Sequence, residues 1–114
     1  MPPDEVRLRH MLDAARKTLA FTKGRSRTDL DTDEQLTLAV VRLLEIIGEA
    51  AKQVTTETRA AHPAIPWREI AGTRDRLIHG YFDVDLDVVW SIASRDLPGL
   101  VASLETVLPH DASA

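Results

Sequence analysis

Arg74, Asp75, His79 and Tyr81 fall within eight residues of one another in the stretch "RDRLIHGYFDVD". They are a fixed cation, a carboxylate, an imidazole that titrates near neutral pH, and a phenol. Such a set can hold an anion and move a proton beside it. Read as one regular helix from Trp67 to His79, the segment places Ile70, Ala71, Leu77 and Ile78 within about 80° of Trp67 and Arg74 inside the same apolar arc. Asp75 precedes His79 by four residues, so the helix would stack carboxylate and imidazole and let one orient the other. Each residue also has a plainer reading. The Arg74 stem can lie over the core with its guanidinium in water. Asp75 and His79 can be a surface pair near a helix C-terminus, and Tyr81 and Phe82 can be loop anchors. It is their coincidence that marks a candidate site.

Helical periodicity accounts for the elements that must carry these residues, and no segment alternates as a strand would. The spacing predicts a first helix from about Asp4 to Lys23, with Leu8, Leu12, Ala15 and Leu19 as its stripe. "KGRSRTDLDT" reads as a loop. A second helix should start at a capping box of Thr32 and Gln35 and run to about Val54, with Leu36, Val40, Leu43, Ile47, Ala50 and Val54 as its seam. Leu38 and Val41 fall on its far side, beside Gly48, and imply either a second packing partner, such as another copy of the chain, or cover by the first loop. Residues 55–66 form a connector with two prolines. The short third helix should end at Gly80, a residue favoured just past a helix end. The fourth, from about Asp85, keeps Leu86, Val89, Trp90, Ala93, Leu97, Leu100, Val101 and Leu104 on one face, and Pro98 should kink or split it. The expectation is an all-α, up-down four-helix bundle over residues 1–108, with a disordered tail at 109–114.

The chain has 114 residues, no cysteine and a formal net charge of -4. One domain, no disulfide or thiolate metal site, and a reducing compartment, the cytoplasm, are expected. The charged start "MPPDEVRLRH" does not read as a signal peptide, so no targeting segment is expected, and no apolar run in the sequence is long enough to span a membrane. The net charge argues against a generic nucleic-acid binder. It is distributed unevenly, however: residues 1–27 carry +4, 28–58 carry -5, 59–80 carry +2 and 81–114 carry -5. A polyanion would meet the first and third blocks, the third of which holds Arg68, Arg74 and Arg76. His10, His62, His79 and His110 lack ligand spacing, so no metal site and no cofactor are expected. Glu45 and Glu49 read as a solvated edge, and the serines lack a nucleophile's partners.

Arg74, Asp75, His79 and Tyr81 reproduce the R-(polar)-x3-H-x-Y pattern of the HEPN superfamily. The wider text "IPWREIAGTRDRLIHGYFDVDLDVVW", with "IIGEAAKQV" in the second helix, resembles the HepT-type toxins within it. The similarity runs from about Leu36 to Leu104, and Asp75 stands where close relatives often carry asparagine. The resemblance implies a homodimeric, metal-independent endoribonuclease that cleaves RNA through attack of the ribose 2′-OH, leaving a 2′,3′-cyclic phosphate and a 5′-OH. His79 would be the general acid or base, Arg74 the clamp on phosphate oxygens and Asp75 the support of the imidazole. Arg68 and Arg76 would add RNA contacts. An MntA-like nucleotidyltransferase antitoxin would transfer AMP to Tyr81. A non-catalytic helical dimer that binds and regulates such a nucleotidyltransferase is the alternative. On a regular helix Arg74 and His79 are about 140° and 7.5 Å apart, too divergent to meet one phosphate. Fraying at His79 or a two-fold dimer would each resolve this.

Overall fold

In the computed structural model, residues 3–79 and 83–108 are described, His79 through its backbone alone. The expected C-terminal tail, His110, the Gly80 helix end, Tyr81 and Phe82 lie outside the described residues.

The described chain is mostly helical. Helix α1 spans Pro3–Thr22 and α3 spans Glu34–Gln53, with a single turn, α2 (Asp29–Thr32), between them. The α3 seam read from the sequence, Leu36, Val40, Leu43, Ile47, Ala50 and Val54, is buried throughout. On α1, Leu8, Met11, Leu12, Ala14, Ala15 and Thr18 are buried, and the hydroxyl of Thr18 donates to the Ala14 carbonyl 2.9 Å away. The N-cap of α3 is Asp33, whose carboxylate accepts from the Leu36 amide at 3.0 Å. This corrects the expected Thr32–Gln35 box: aspartate outranks threonine as a cap, and Asp33 is also held by Arg25 at 2.8 Å. The connector 55–66 contains one further short helix, α4 (Thr56–Ala61). Arg59 on α4 closes the other end of α3, its guanidinium donating to the carbonyls of Val54 at 3.2 Å and Ala51 at 2.8 Å.

α1 and α3 run antiparallel, because the Asp4 carboxylate at the start of α1 accepts from the backbone amide and hydroxyl of Thr55 and from the hydroxyl of Thr58, just beyond the end of α3. These hydrogen bonds, the Thr55 hydroxyl first, hold Asp4 below the ordinary carboxylate value of 3.8. The Ser26 amide lowers Asp29, and the Leu36 amide followed by Arg25 lowers Asp33. A carboxylate depressed in the folded state contributes stability that is complete above the unfolded value and is lost as pH falls through the folded one. The thermal midpoint should therefore hold steady from neutral pH down to about 5 and fall below about 3.8, and Asp33→Asn should flatten that acid limb in circular-dichroism melts.

The expected third helix is broken. It consists of α5 (Trp67–Ala71) and α6 (Thr73–Leu77), joined at Gly72. Both lie against α3 at Gly48, where a Cβ would come within 3.0 Å of the Ile70 carbonyl and 3.3 Å of the Thr73 Cβ. Gly48→Ala should push these turns outward and cost about 1–3 kcal/mol, readable as a lower urea midpoint. After α6 the backbone becomes extended. Strands β1 (Ile78–His79) and β2 (Asp83–Val84) pair antiparallel, Ile78 with Val84 and His79 with Asp83, a hairpin the sequence did not suggest.

The fourth helical segment begins at α7 (Leu86–Ser91), capped by Asp85, and ends with α8 (Leu97–Val107). Between them Ile92–Asp96 form a π-helical turn, in which the Leu97 amide reaches back five residues to the Ile92 carbonyl. This is the break expected at Pro98. Proline has no amide proton and its ring would strike the carbonyl four residues before it, so the helix widens ahead of it and restarts with Pro98 in its first turn. Packing thus rests on three long segments and the broken α5–α6 unit, with Met11, Val40, Leu44, Leu77, Val89 and Leu104 fully buried at the centre. No helix among the described residues is long and apolar enough to cross a membrane.

Candidate functional site

The break at Gly72 changes which residues of the third segment face inward. On α6 Thr73 and Leu77 are buried, the Thr73 hydroxyl being satisfied by the Ile70 carbonyl at 2.6 Å. Arg74, Asp75 and Arg76 are exposed. Arg74 therefore does not enter the core, in contrast to the angular reading of a continuous helix, because the turn at Gly72 re-phases the segment and gives the inward position to Thr73. Neither Arg74 nor Arg68, also exposed, has an ion pair among the described residues.

His79 lies outside any helix. Ile78 is extended (φ -114°, ψ 118°), and the Leu77 carbonyl, which a continuing helix would offer to residue 81, accepts instead from the Asp85 amide at 2.7 Å. The helix that the i,i+4 reading of Asp75 and His79 assumed ends at Leu77, two residues before His79. The divergence of Arg74 and His79 computed for a regular helix also lapses. The chain takes the fraying alternative at Leu77, and residues 80–82, Tyr81 among them, join His79 to its cross-strand neighbour Asp83.

The hairpin is anchored at its base. Asp85 accepts from the amides of Asp87 and Val88, each at 3.1 Å. Asp87 in turn takes the Arg27 Nε at 2.7 Å, tying the loop after α1 to the start of α7, and Arg27 also reaches Asp31 at 3.1 Å. The Asp87 hydrogen bond, then that of Asp31, raises the Arg27 guanidinium above its ordinary value. These long-range contacts had no signature in residue spacing.

Arg76 points elsewhere. It lines a cleft of about 310 Å³ between α3, α5–α6 and the π-turn with α8, and its guanidinium is 3.9 Å from Asp96. The floor of that cleft is Leu44, Ile47, Ile70, Ile92, Leu97 and Leu100. An apolar floor does not suit a phosphodiester backbone, which gains from cations and hydrogen-bond donors. The exposed Arg74 surface beside the hairpin is the better candidate for an anion. Among the described residues no group of three or more His, Asp or Glu side chains converges as a metal site.

The chain belongs to the ribonuclease HepT-like family, whose model matches residues 11–107. A protein of Caldanaerobacter subterraneus subsp. tengcongensis, provisionally named an RNase, is 42% identical over 91% of this chain and 93% of its own length. One of Thermococcus cleftensis, provisionally named ribonuclease HepT, is 45% identical over 75% of this chain and 77% of its own. A third, of Methanocaldococcus jannaschii and also provisionally named an RNase, is 35% identical over 85% and 89%. No solved structure matches the chain.

Proposed function

We propose that the chain is the endoribonuclease toxin of a toxin–antitoxin pair and cleaves RNA through its own side chains, without a metal ion. Family membership and the ribonuclease names of its relatives support the activity. The observation that carries the site is Arg74: an exposed guanidinium with no carboxylate partner among the described residues, five positions before His79 and beside the turn into the hairpin. Arginine left unneutralised in this way is available to take two phosphate oxygens at once. His79 removes the proton from the ribose 2′-OH as that oxygen attacks the adjacent phosphorus, and protonated imidazole returns a proton to the departing 5′-oxygen. Arg74 stabilises the charge that builds on the phosphoryl oxygens, and Arg68 extends the cationic surface toward the flanking backbone.

The working unit is a homodimer in which two copies of the Arg74–His79 segment face one cleft. Leu38, a leucine left 63% exposed on α3 and not covered by the first loop, supports an apolar contact of this kind. The partner in the cell is an MntA-like nucleotidyltransferase antitoxin, and AMP transferred to Tyr81, two residues beyond His79, would place bulk and negative charge where RNA must bind. The purified chain should cleave single-stranded RNA in excess EDTA and leave 2′,3′-cyclic phosphate ends, read by end-group analysis. Cleavage that appears only on adding a divalent ion would overturn the metal-independent mechanism.

A further inference from the structure

We propose that the apolar cleft under Arg76 is a base pocket and takes a guanine of the RNA strand. The inference rests on the ribonuclease reading above and names the base that the strand is held by. At about 310 Å³ the cleft lies at the lower end of the range of pockets that enclose a small ring system. Its floor of Leu44, Ile47, Ile92 and Leu97 suits the flat face of an unstacked base. Single-stranded RNA is read in this way, by bases splayed out of the strand and hydrogen-bonded along their edges. Gly99 keeps one wall of the cleft open: a Cβ there would meet no atom within 4 Å. Neither packing nor a positive φ calls for glycine at this helical position, where alanine would stabilise the helix.

The choice of base is made at the mouth. Arg76 and Asp96 stand side by side at 3.9 Å, about 1 Å longer than a charge-assisted hydrogen bond, and both are exposed. So loose a pair uses up neither the donors of the guanidinium nor the two oxygens of the carboxylate. Asp96 closes the π-helical turn Ile92–Asp96, and the widened turn sets the direction of its carboxylate. Glu69 on α5 adds a second carboxylate to the rim. Two carboxylates around one guanidinium repel a phosphate and favour an edge that carries donors. Of the four bases guanine alone sets two donors, N1–H and the N2 amino group, beside an acceptor, O6. Asp96 accepts from the two donors as it would from a guanidinium fork, and Arg76 donates to O6. On α6 Arg74 and Arg76 are about 200° apart around the helix, so one cation serves the hairpin side and the other the cleft. A strand whose phosphate rests on Arg74 crosses α6 to seat a neighbouring base under Arg76. Leu38, proposed to meet a second copy, is about 180° around α3 from Ile47, so a dimer formed there leaves the cleft open.

Two readouts on the intact chain test the pocket. In amide NMR spectra guanosine monophosphate should shift the resonances of Ile70, Leu97 and Gly99. It should saturate them at a concentration about tenfold or more below that of adenosine monophosphate, which carries the same phosphate. Gly99→Leu, which fills the cleft, should abolish these shifts with circular dichroism unchanged. Asp96→Asn, on the exposed rim, should erase the preference between the two nucleotides. Among the products of a mixed-sequence RNA, guanine should stand at one fixed place relative to the cut. Inosine at that place, lacking the N2 amino group, should slow single-turnover cleavage by about 5–20-fold. No shift at the cleft, equal affinities for the two nucleotides, shifts that survive Gly99→Leu, or shifts confined to the Arg74 surface overturn the assignment. Cleavage without base preference overturns it too and leaves the nuclease reading standing. Guanosine monophosphate seated in the cleft of a chain that cuts no RNA would preserve the pocket and reject the nuclease reading instead.

Discussion

His79→Ala should slow RNA cleavage by about 10²–10⁴-fold, or about 2.7–5.5 kcal/mol of transition-state stabilisation, while leaving the fold intact. The rate falls because attack by the 2′-OH and departure of the 5′-oxygen each need a proton moved, and no second histidine lies in the same segment to take over. The fold should survive because the hairpin is held by backbone groups. Ile78 and His79 pair through the main chain, and the Asp85 amide to the Leu77 carbonyl closes the end of α6 whatever side chain residue 79 carries. Single-turnover cleavage of a labelled RNA, with circular dichroism on the same samples, measures both quantities. On induced expression the parent should arrest growth and the variant should not. If the two behave alike in the cell and in the tube, the chain acts by binding a nucleotidyltransferase rather than by cutting RNA.

The parts of the molecule legible in the sequence are those set by a long, uninterrupted period. The first helix was expected from about Asp4 to Lys23 and spans Pro3–Thr22, and every position of the second seam, from Leu36 to Val54, is buried. A repeat sustained over twenty residues averages out local exceptions. The break before Pro98 was legible for a different reason: a missing amide and a ring clash act at one residue whatever surrounds it. The boundaries set by competition were not. Thr32 and Asp33 can both cap, and Asp33, the better cap, is also held by Arg25, eight residues from it in the chain and 2.8 Å from it in space.

The candidate site shows the same division. The proposal that Arg74, Asp75 and His79 share one site comes from residue types and their spacing in the sequence. Their relative directions were read on the assumption of thirteen helical residues in a row, and that assumption failed in two places. Gly72 interrupts the helix where α5–α6 must fit against Gly48, and Asp85 captures the Leu77 carbonyl. Both causes are tertiary, one a close backbone approach to α3 and the other a hydrogen bond across a hairpin two residues long. A two-residue strand is too short to alternate, so periodicity had nothing to detect.

The break at Leu77 sharpens the question of which Arg74 acts with which His79, and a mixture of two inactive variants answers it. On a regular helix the two side chains could not reach one phosphate, which would have required a second copy. With His79 released from the helix that necessity is gone, and the proposed dimer makes a stricter claim: the guanidinium and the imidazole at each phosphate come from different chains. Arg74→Ala should by itself lose about 10²–10³ in rate, as expected on removing a donor from a developing oxyanion. His79→Ala is inactive for its own reason. Co-produced with separate tags, equal amounts would form heterodimers as about half of all dimers. In each of these one of the two composite sites has both groups intact, so about a quarter of the parental rate should return. If arginine and histidine act within one chain, every site in the heterodimer lacks one of them and nothing returns. The recovered fraction, measured on heterodimer isolated through both tags, where it should rise to about half, distinguishes the two arrangements without reference to any side-chain coordinate.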